Sequence, residues 1–165
     1  VDEDEIKNSL LAEKFSSFDI SRALAETKAK KISSKIYNQD VLGADQVLDL
    51  EGNIFNKPEN MELASSLMKR LNGKEHSLFS SICLSKNGST IWMHTEQVVL
   101  KMKRLTDSFI KDYLAKVGLE TIKKYGVYQI EGTGKDLFEE IKGDEYSVMG
   151  MPIKQLINYY KLNEK

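Results

Sequence analysis

The chain predicts an α/β fold built on a mixed sheet, and three observations predict it. Apolar residues recur at helical spacing in separate segments, most clearly Met61, Ala64, Leu67, Met68 and Leu71. Short apolar runs such as Val41–Leu48 stand between them, too brief for a convincing helix. Two β-rich runs, 78–86 and 89–102, flank Asn87-Gly88, the dipeptide that a two-residue type I′ turn prefers. Helices and strands that alternate, with one long hairpin, define the α/β class.

The elements follow in order. A first helix is expected from Asp19, as its cap, to about Lys35, because Ala23–Ala29 is rich in strong helix formers. Val41–Leu48 reads as a buried strand interrupted by Asp45. Glu51-Gly52-Asn53 turns the chain, and Ile54-Phe55 begins a return strand. Asn60 caps a second helix that Gly73 stops. After the hairpin a third helix starts at Thr106, carries Phe109, Ile110, Tyr113, Leu114 and Val117 as its apolar stripe, and ends at Gly118. Residues 125–130 read as extended. Short helices are expected over 136–142 and from Pro152, a residue suited to a first helical position.

Composition narrows the function. The 165 residues suit one domain spanning 1–165, and no Gly/Ser-rich linker, repeat or low-complexity tract divides them. A formal net charge of -1 gives no basic field to gather a nucleic acid polymer. No apolar stretch approaches the roughly 20 residues that span a bilayer, so no membrane partner is expected. The one cysteine, Cys83, cannot form an internal disulfide, which favours a reducing, cytoplasmic setting. Its place in an apolar run marks it as a small buried residue rather than a nucleophile. His76 and His94 have no Cys or His partner at ligand spacing, so a zinc site is not expected.

A few polar residues are oddly placed. Asp45 lies inside an apolar run, where an unpartnered carboxylate is costly. It is either a ligand for a hard cation such as Mg²⁺ or an acid that satisfies a turn at a strand end. Lys28 shares a helix side with Leu24, and either reaches a phosphate or snorkels from the core edge. Lys57 is held extended by Pro58, which suits a positioned charge but also describes many idle Lys-Pro pairs. Glu131 sits beside Gly132 and Gly134, in a loop that lets backbone approach a ligand or that does nothing. The loop is not a P-loop, and no Gly-x-Ser-x-Gly elbow occurs. Lys101 to Arg104 reads as a solvated strand edge.

Taken in order, these segments resemble the Maf (septum formation inhibitor-like) family of nucleotide pyrophosphatases. Leu24-Ala25-Glu26-Thr27-Lys28-Ala29 is similar to that family's Leu-Ala-x-x-Lys-Ala, and Gly43-Ala44-Asp45-Gln46 to its Gly-Ala-Asp-Thr. Phe55-Asn56-Lys57-Pro58 resembles Gly-Lys-Pro, and Leu71-Asn72-Gly73-Lys74-Glu75-His76 resembles Leu-Ser-Gly-x-x-His. Gly126-Val127-Tyr128-Gln129-Ile130-Glu131-Gly132 resembles Gly-x-Tyr-x-Ile-Gln-Gly, Val148-Met149-Gly150-Met151-Pro152 resembles Val-x-Gly-Leu-Pro, and Val1-Asp2-Glu3 resembles the family's Asp-Glu pair. The motifs are short, collinear and spread over nearly the whole chain.

The resemblance implies a strongly twisted mixed sheet with a cleft between two lobes. It implies metal-dependent hydrolysis of nucleoside triphosphates to monophosphate and pyrophosphate, with Mg²⁺ or Mn²⁺ as cofactor. By the same resemblance Asp45 is the central catalytic carboxylate and Glu3 a second acid at the metal. Lys28 and Lys57 hold phosphate oxygens. Glu131, where the family commonly has Gln, and Gln46, where it has Thr, belong to the substrate-binding set. The two departures occur together in a subgroup of the family and leave the preferred base open. The family also opens with a strand and a Ser-x-x-Arg-Arg-like turn that grips the triphosphate, so residues 1–165 are expected to be N-terminally incomplete. A catalytically weak or silent nucleotide-binding protein, or a fragment, is the alternative expectation. A homodimer is left open.

Overall fold

A computed structural model describes residues 3–164; Val1 and Asp2, the first residues of the acidic run and of the Asp-Glu resemblance, lie outside the described residues. Among the described residues the chain has the expected α/β class, with seven α-helices and five strands. The strands are β1 (Asp40–Leu50), β2 (Asn53–Phe55), β3 (Glu75–Lys86), β4 (Ser89–Met102) and β5 (Phe138–Lys142). They form one antiparallel sheet in the order β2-β1-β3-β4-β5. The chain groups into two compact units. One holds the residues up to Val47, Leu78–Val98 and those from Gly143 on; the other holds Leu48–Ser77 and Val99–Lys142.

In the first unit, α1 (Glu3–Ala12) packs on α2 (Ser17–Ser33). Helix α1 was not expected from the sequence. It fully buries no residue, and its half-buried pair Ile6 and Leu10 is too short a stripe to betray it. The start of α2 corrects the expectation that Asp19 is the cap. Ser16 caps it: Ser16 Oγ accepts from the Asp19 backbone N–H at 3.1 Å, and the same hydroxyl donates to Asp19 Oδ2 at 2.7 Å. Asp19 bonds the cap's hydroxyl with both its carboxylate and its backbone N–H, which explains why it looked like the cap itself.

Helix α2 is seated by Ile20, Leu24, Ala25 and Ala29, all buried. Its polar contact is equally enclosed, with Ser21 Oγ 2.7 Å from Ser81 Oγ and Ser81 Oγ 2.7 Å from Thr95 Oγ1. Gly43 of β1 decides how close the helix comes. A β-carbon there would lie 2.6 Å from the Ala29 backbone nitrogen and 2.9 Å from the Ala29 methyl. Asn87 and Gly88 turn β3 into β4 with φ of 51° and 80°, the left-handed pair that a type I′ turn requires. Helix α6 (Glu145–Val148) and helix α7 (Ile153–Asn163), which Pro152 precedes rather than begins, complete this unit.

In the second unit the expected helix starts hold, Asn60 as the cap it was read to be and Thr106 as a cap in its turn. Asn60 Oδ1 accepts from Leu63 N–H at 2.8 Å at the start of α3 (Met61–Leu71). Thr106 Oγ1 accepts from Phe109 N–H at 3.1 Å ahead of α4 (Asp107–Val117). The two helices pack through the stripes read from the sequence: Ala64, Leu67, Met68 and Leu71 against Ile110, Tyr113 and Leu114. Phe109 is the exception and is about half exposed.

Two expectations fail here. Tyr125 is not the start of an extended run but the end of α5 (Leu119–Tyr125), and residues 126–130 are irregular. Gly118 and Gly126, at φ of 84° and 91°, bracket this short helix. Residues 136–142 are not a helix either. A 3-10 turn, Thr133–Leu137, leads into β5, whose Ile141 and Glu140 pair with Leu100 and Lys101 of β4. Pairing with a long neighbour outweighs the helix propensity of Glu139, Glu140 and Lys142.

Candidate active site

Strand β1 runs through the Gly43-Ala44-Asp45-Gln46 segment, and alternation sends Asp45 to the same face as Gly43. Because Gly43 lets the backbone of α2 come close, the next turn of that helix delivers Lys28 to Asp45. Lys28 Nζ donates to Asp45 Oδ1 at 2.7 Å. The same ammonium meets Glu3 Oε1 of α1 at 2.9 Å. Three elements thus bring together three of the residues that the sequence singled out. The Asp45 side chain is only 7% exposed, against 39% for Lys28 and 55% for Glu3. Asp45 lies in mid-strand, so the alternative of an acid satisfying a turn at a strand end does not hold.

The electrostatics follow from this geometry. Burial pushes the Asp45 carboxyl up to about 6, the Lys28 contact opposes that, and the adjacent Glu3 carboxylate adds to it. Glu3 is also pushed up by burial, but the Lys28 ammonium outweighs that and holds its carboxyl below the usual range. Lys28 loses hydration on burial, yet its two carboxylates more than compensate and keep it firmly protonated. A fourth charge was missed by sequence reasoning. Lys7, half buried on α1, is pushed down by desolvation and supported in its charged form by Asp45, Asp4 and Glu3. Its signal was the four-residue spacing from Glu3, which places both on one side of a helix, but that helix was itself unrecognised.

Gln46, the strand neighbour of Asp45, points to the other face. Its Nε2 donates to Ser80 Oγ and Val148 O at 2.8 Å and to Ser147 O at 3.2 Å. The structure therefore separates Gln46 from the Asp45 cluster, and its amide ties β1 and β3 to the end of α6. Ser80 Oγ reinforces the tie by donating to Ser147 O at 2.6 Å.

Lys57 and Glu131 belong to the second unit. Lys57 Nζ donates to Lys124 O near the end of α5 at 2.8 Å. Glu131 is exposed, and its Oε1 accepts from Gln129 Nε2 at 3.2 Å. The loop that carries it is fastened from below. Tyr113 OH donates to Val127 O at 2.9 Å, and Tyr128 OH lies 2.7 Å from His76 Nε2. Burial pushes His76 down to about 4 and pushes the Tyr128 hydroxyl up, so both stay neutral in the core. Cys83 is fully buried, and desolvation raises its thiol, as its apolar run implied.

Among the described residues no group of three or more His, Cys, Asp or Glu side chains converges as a metal cage. The Asp45 and Glu3 oxygens do converge on a single ammonium, so a hard cation can meet two carboxylates there. That matches the Mg²⁺ pattern of one or two carboxylates, with substrate phosphate and water completing the shell. Nor is any helix among the described residues long and apolar enough to cross a membrane.

Fold and site define an α/β protein with an ammonium held between a buried carboxylate and a second, more exposed one, an arrangement suited to cations and polyanions. A family model described as Maf-like protein matches residues 1–162, and the chain belongs to that family. Its relatives include a nucleoside triphosphate pyrophosphatase of Pelagibacter ubique, 49% identical over 162 residues, or 98% of this chain and 83% of that protein. Another protein of that name, from Ruegeria pomeroyi, is 41% identical over 98% of this chain and 81% of its own length. A 7-methyl-GTP pyrophosphatase of Bartonella quintana is 42% identical over 84% of this chain and 70% of its own length.

Proposed function

We propose that the chain hydrolyses a nucleoside triphosphate to the monophosphate and pyrophosphate with the help of Mg²⁺ or Mn²⁺, in the cytoplasm. The observation that carries this reading is Asp45: a carboxylate buried in mid-strand, 2.7 Å from Lys28, with Glu3 on the same ammonium. Family membership and the names of its relatives support the reaction class.

Asp45 and Glu3 would hold the divalent ion, which supplies charge neutralisation at the phosphates when bound. Water attacks the α-phosphorus, its oxygen forming the new P–O bond while the bond to the pyrophosphate oxygen breaks. The proton that the water gives up goes to solvent, or to Asp45 where that carboxylate acts as the general base instead of as an ion ligand. Lys28 and Lys57 balance the negative charge that develops on the phosphate chain. Gln46 supports the site from the opposite face of β1 by fixing α6. Glu131 offers acceptors only, so it suits a base edge rich in N–H donors, or a cationic base such as the 7-methylguanine in the name of the Bartonella relative.

The test is to incubate the chain with Mn²⁺ and UTP, CTP, dTTP or 7-methyl-GTP and to follow pyrophosphate and monophosphate together. Turnover is expected with at least one of them. Asp45→Asn should lower it by about 10²–10³-fold, the usual loss when one such electrostatic contact is removed. A variant that kept full activity would sink the assignment of Asp45. Tight nucleotide binding without turnover would point to a silent binding protein.

A further inference from the structure

Lys28 occupies an unusual position for a residue whose proposed task is to hold substrate phosphate. Its Nζ lies 2.7 Å from Asp45 Oδ1 and 2.9 Å from Glu3 Oε1, so it fills the space on which the two carboxylates converge. A buried carboxylate such as Asp45 requires a neighbouring cation, and this ammonium contacts it directly, with the Lys7 charge in support. Two like charges cannot share that space. At contact distance two unit charges interact by several kcal/mol even at an effective dielectric of about 20.

We infer that Lys28 is the internal counter-ion of the Asp45–Glu3 pair, and that a divalent cation enters this site only by displacing it. The inference rests on the metal-assisted reading above and adds an exchange to it. The incoming ion takes over the carboxylates, and the released ammonium becomes available to a phosphate oxygen. Lys28 is suited to such movement. Its side chain is 39% exposed and hangs on a flexible four-carbon stem, whereas Asp45 is fixed in mid-strand. The exchange replaces one positive charge by two, which matches the two negative charges of the carboxylates. It also gives the enzyme a reason to be occupied by metal mainly when a triphosphate is present, since the polyanion provides the displaced ammonium with a new partner.

The consequence is opposite to what a simple substrate-holding lysine predicts. Removing the competing ammonium should strengthen metal binding in the absence of any nucleotide. The measurement is Mn²⁺ titration of the nucleotide-free chain, by calorimetry and by loss of the free Mn²⁺ electron paramagnetic resonance signal. Lys28→Met is expected to bind Mn²⁺ at least tenfold more tightly than the unmodified chain, and Mn²⁺ should raise its melting temperature by the larger increment. Lys28→Gln, which keeps a polar end, should show the same direction, and Lys28→Arg, which keeps the charge, should stay near the original affinity. Adding Asp45→Asn to Lys28→Met should abolish the gain.

Equal or weaker Mn²⁺ binding by both neutral variants overturns the exchange. If the unmodified chain nevertheless releases pyrophosphate with Mn²⁺, the proposed function stands and only the exchange is lost. If the neutral variants gain Mn²⁺ affinity while the unmodified chain turns over no triphosphate, the exchange stands and the function is wrong.

Discussion

Asp45 sits in a place that costs the fold something, and the cost has a sign that can be measured. Its carboxyl is pushed up to about 6 from an ordinary 3.8, first by burial and then by Glu3, against the pull of Lys28. Between pH 3.8 and 6 the folded chain holds a proton that the unfolded chain has already released. Stability contributed by this group is therefore present at low pH and lost as pH rises through about 6. Above that pH the charged form is less favourable in the fold than in water. Asp45→Asn keeps the shape and removes the charge. In metal-free buffer it should melt higher than the parent at pH 8, with the advantage shrinking toward pH 4. Thermal melts at the two pH values check it. A lower melting temperature for the variant at pH 8 would mean that the Lys28 contact outweighs burial. The same residue then shows a gain in stability against a loss of activity, as expected where an ionised group is held for chemistry.

At the scale of elements, the pairing of Asp45 with Lys28 depends on a glycine two residues away. Helix α2 lies against β1 because Gly43 has no side chain, with Ala25 and Ala29 as its counterparts on the helix. Gly43→Ala would place a methyl 2.6 Å from the Ala29 backbone nitrogen, and backbone cannot yield as a flexible side chain can. The helix must move outward and carry Lys28 with it. We expect a loss of about 1–3 kcal/mol, the usual range for overpacking, read as a lower denaturant midpoint, together with reduced turnover. An unchanged midpoint would show that α2 is not seated this closely. Much of this scale was legible beforehand. The cap at Asn60, the helix start at Thr106 and the turn at Asn87-Gly88 rest on local chemistry, and all three stand. What failed was decided elsewhere in the chain: β5 exists because β4 offers it an edge, and α1 exists as a polar helix laid on α2. The pair Ile6 and Leu10 in 3–12 is too short a pattern to announce a helix, and 136–142 carries no strand alternation. Lys7 was missed for that reason alone.

On the scale of the whole molecule, family membership was legible because several short motifs kept their order, while their physical meaning was not. Asp45 and Lys28 are 17 positions apart, and only the seating of α2 on β1 makes them one site. Gln46 stands next to Asp45 in sequence yet faces the other way, a consequence of strand alternation that the motif conceals. Lys57 and Glu131 fall in the other compact unit, and the ligand proposed for the chain is a nucleoside triphosphate with its metal. Such a ligand should stabilise the folded chain by mass action. At about 100 times its dissociation constant the gain is roughly 2.7 kcal/mol, which for a chain of this size is about 5–10 °C in melting temperature. We expect that shift from Mn²⁺ together with a triphosphate analogue that cannot be cleaved between the α- and β-phosphates. Mn²⁺ alone should give a smaller one, because it must compete with Lys28 without a phosphate to receive the displaced ammonium. Differential scanning fluorimetry across the base panel then ranks the bases independently of turnover. No shift with any triphosphate, in a chain that melts cooperatively, would remove nucleotide binding from the account.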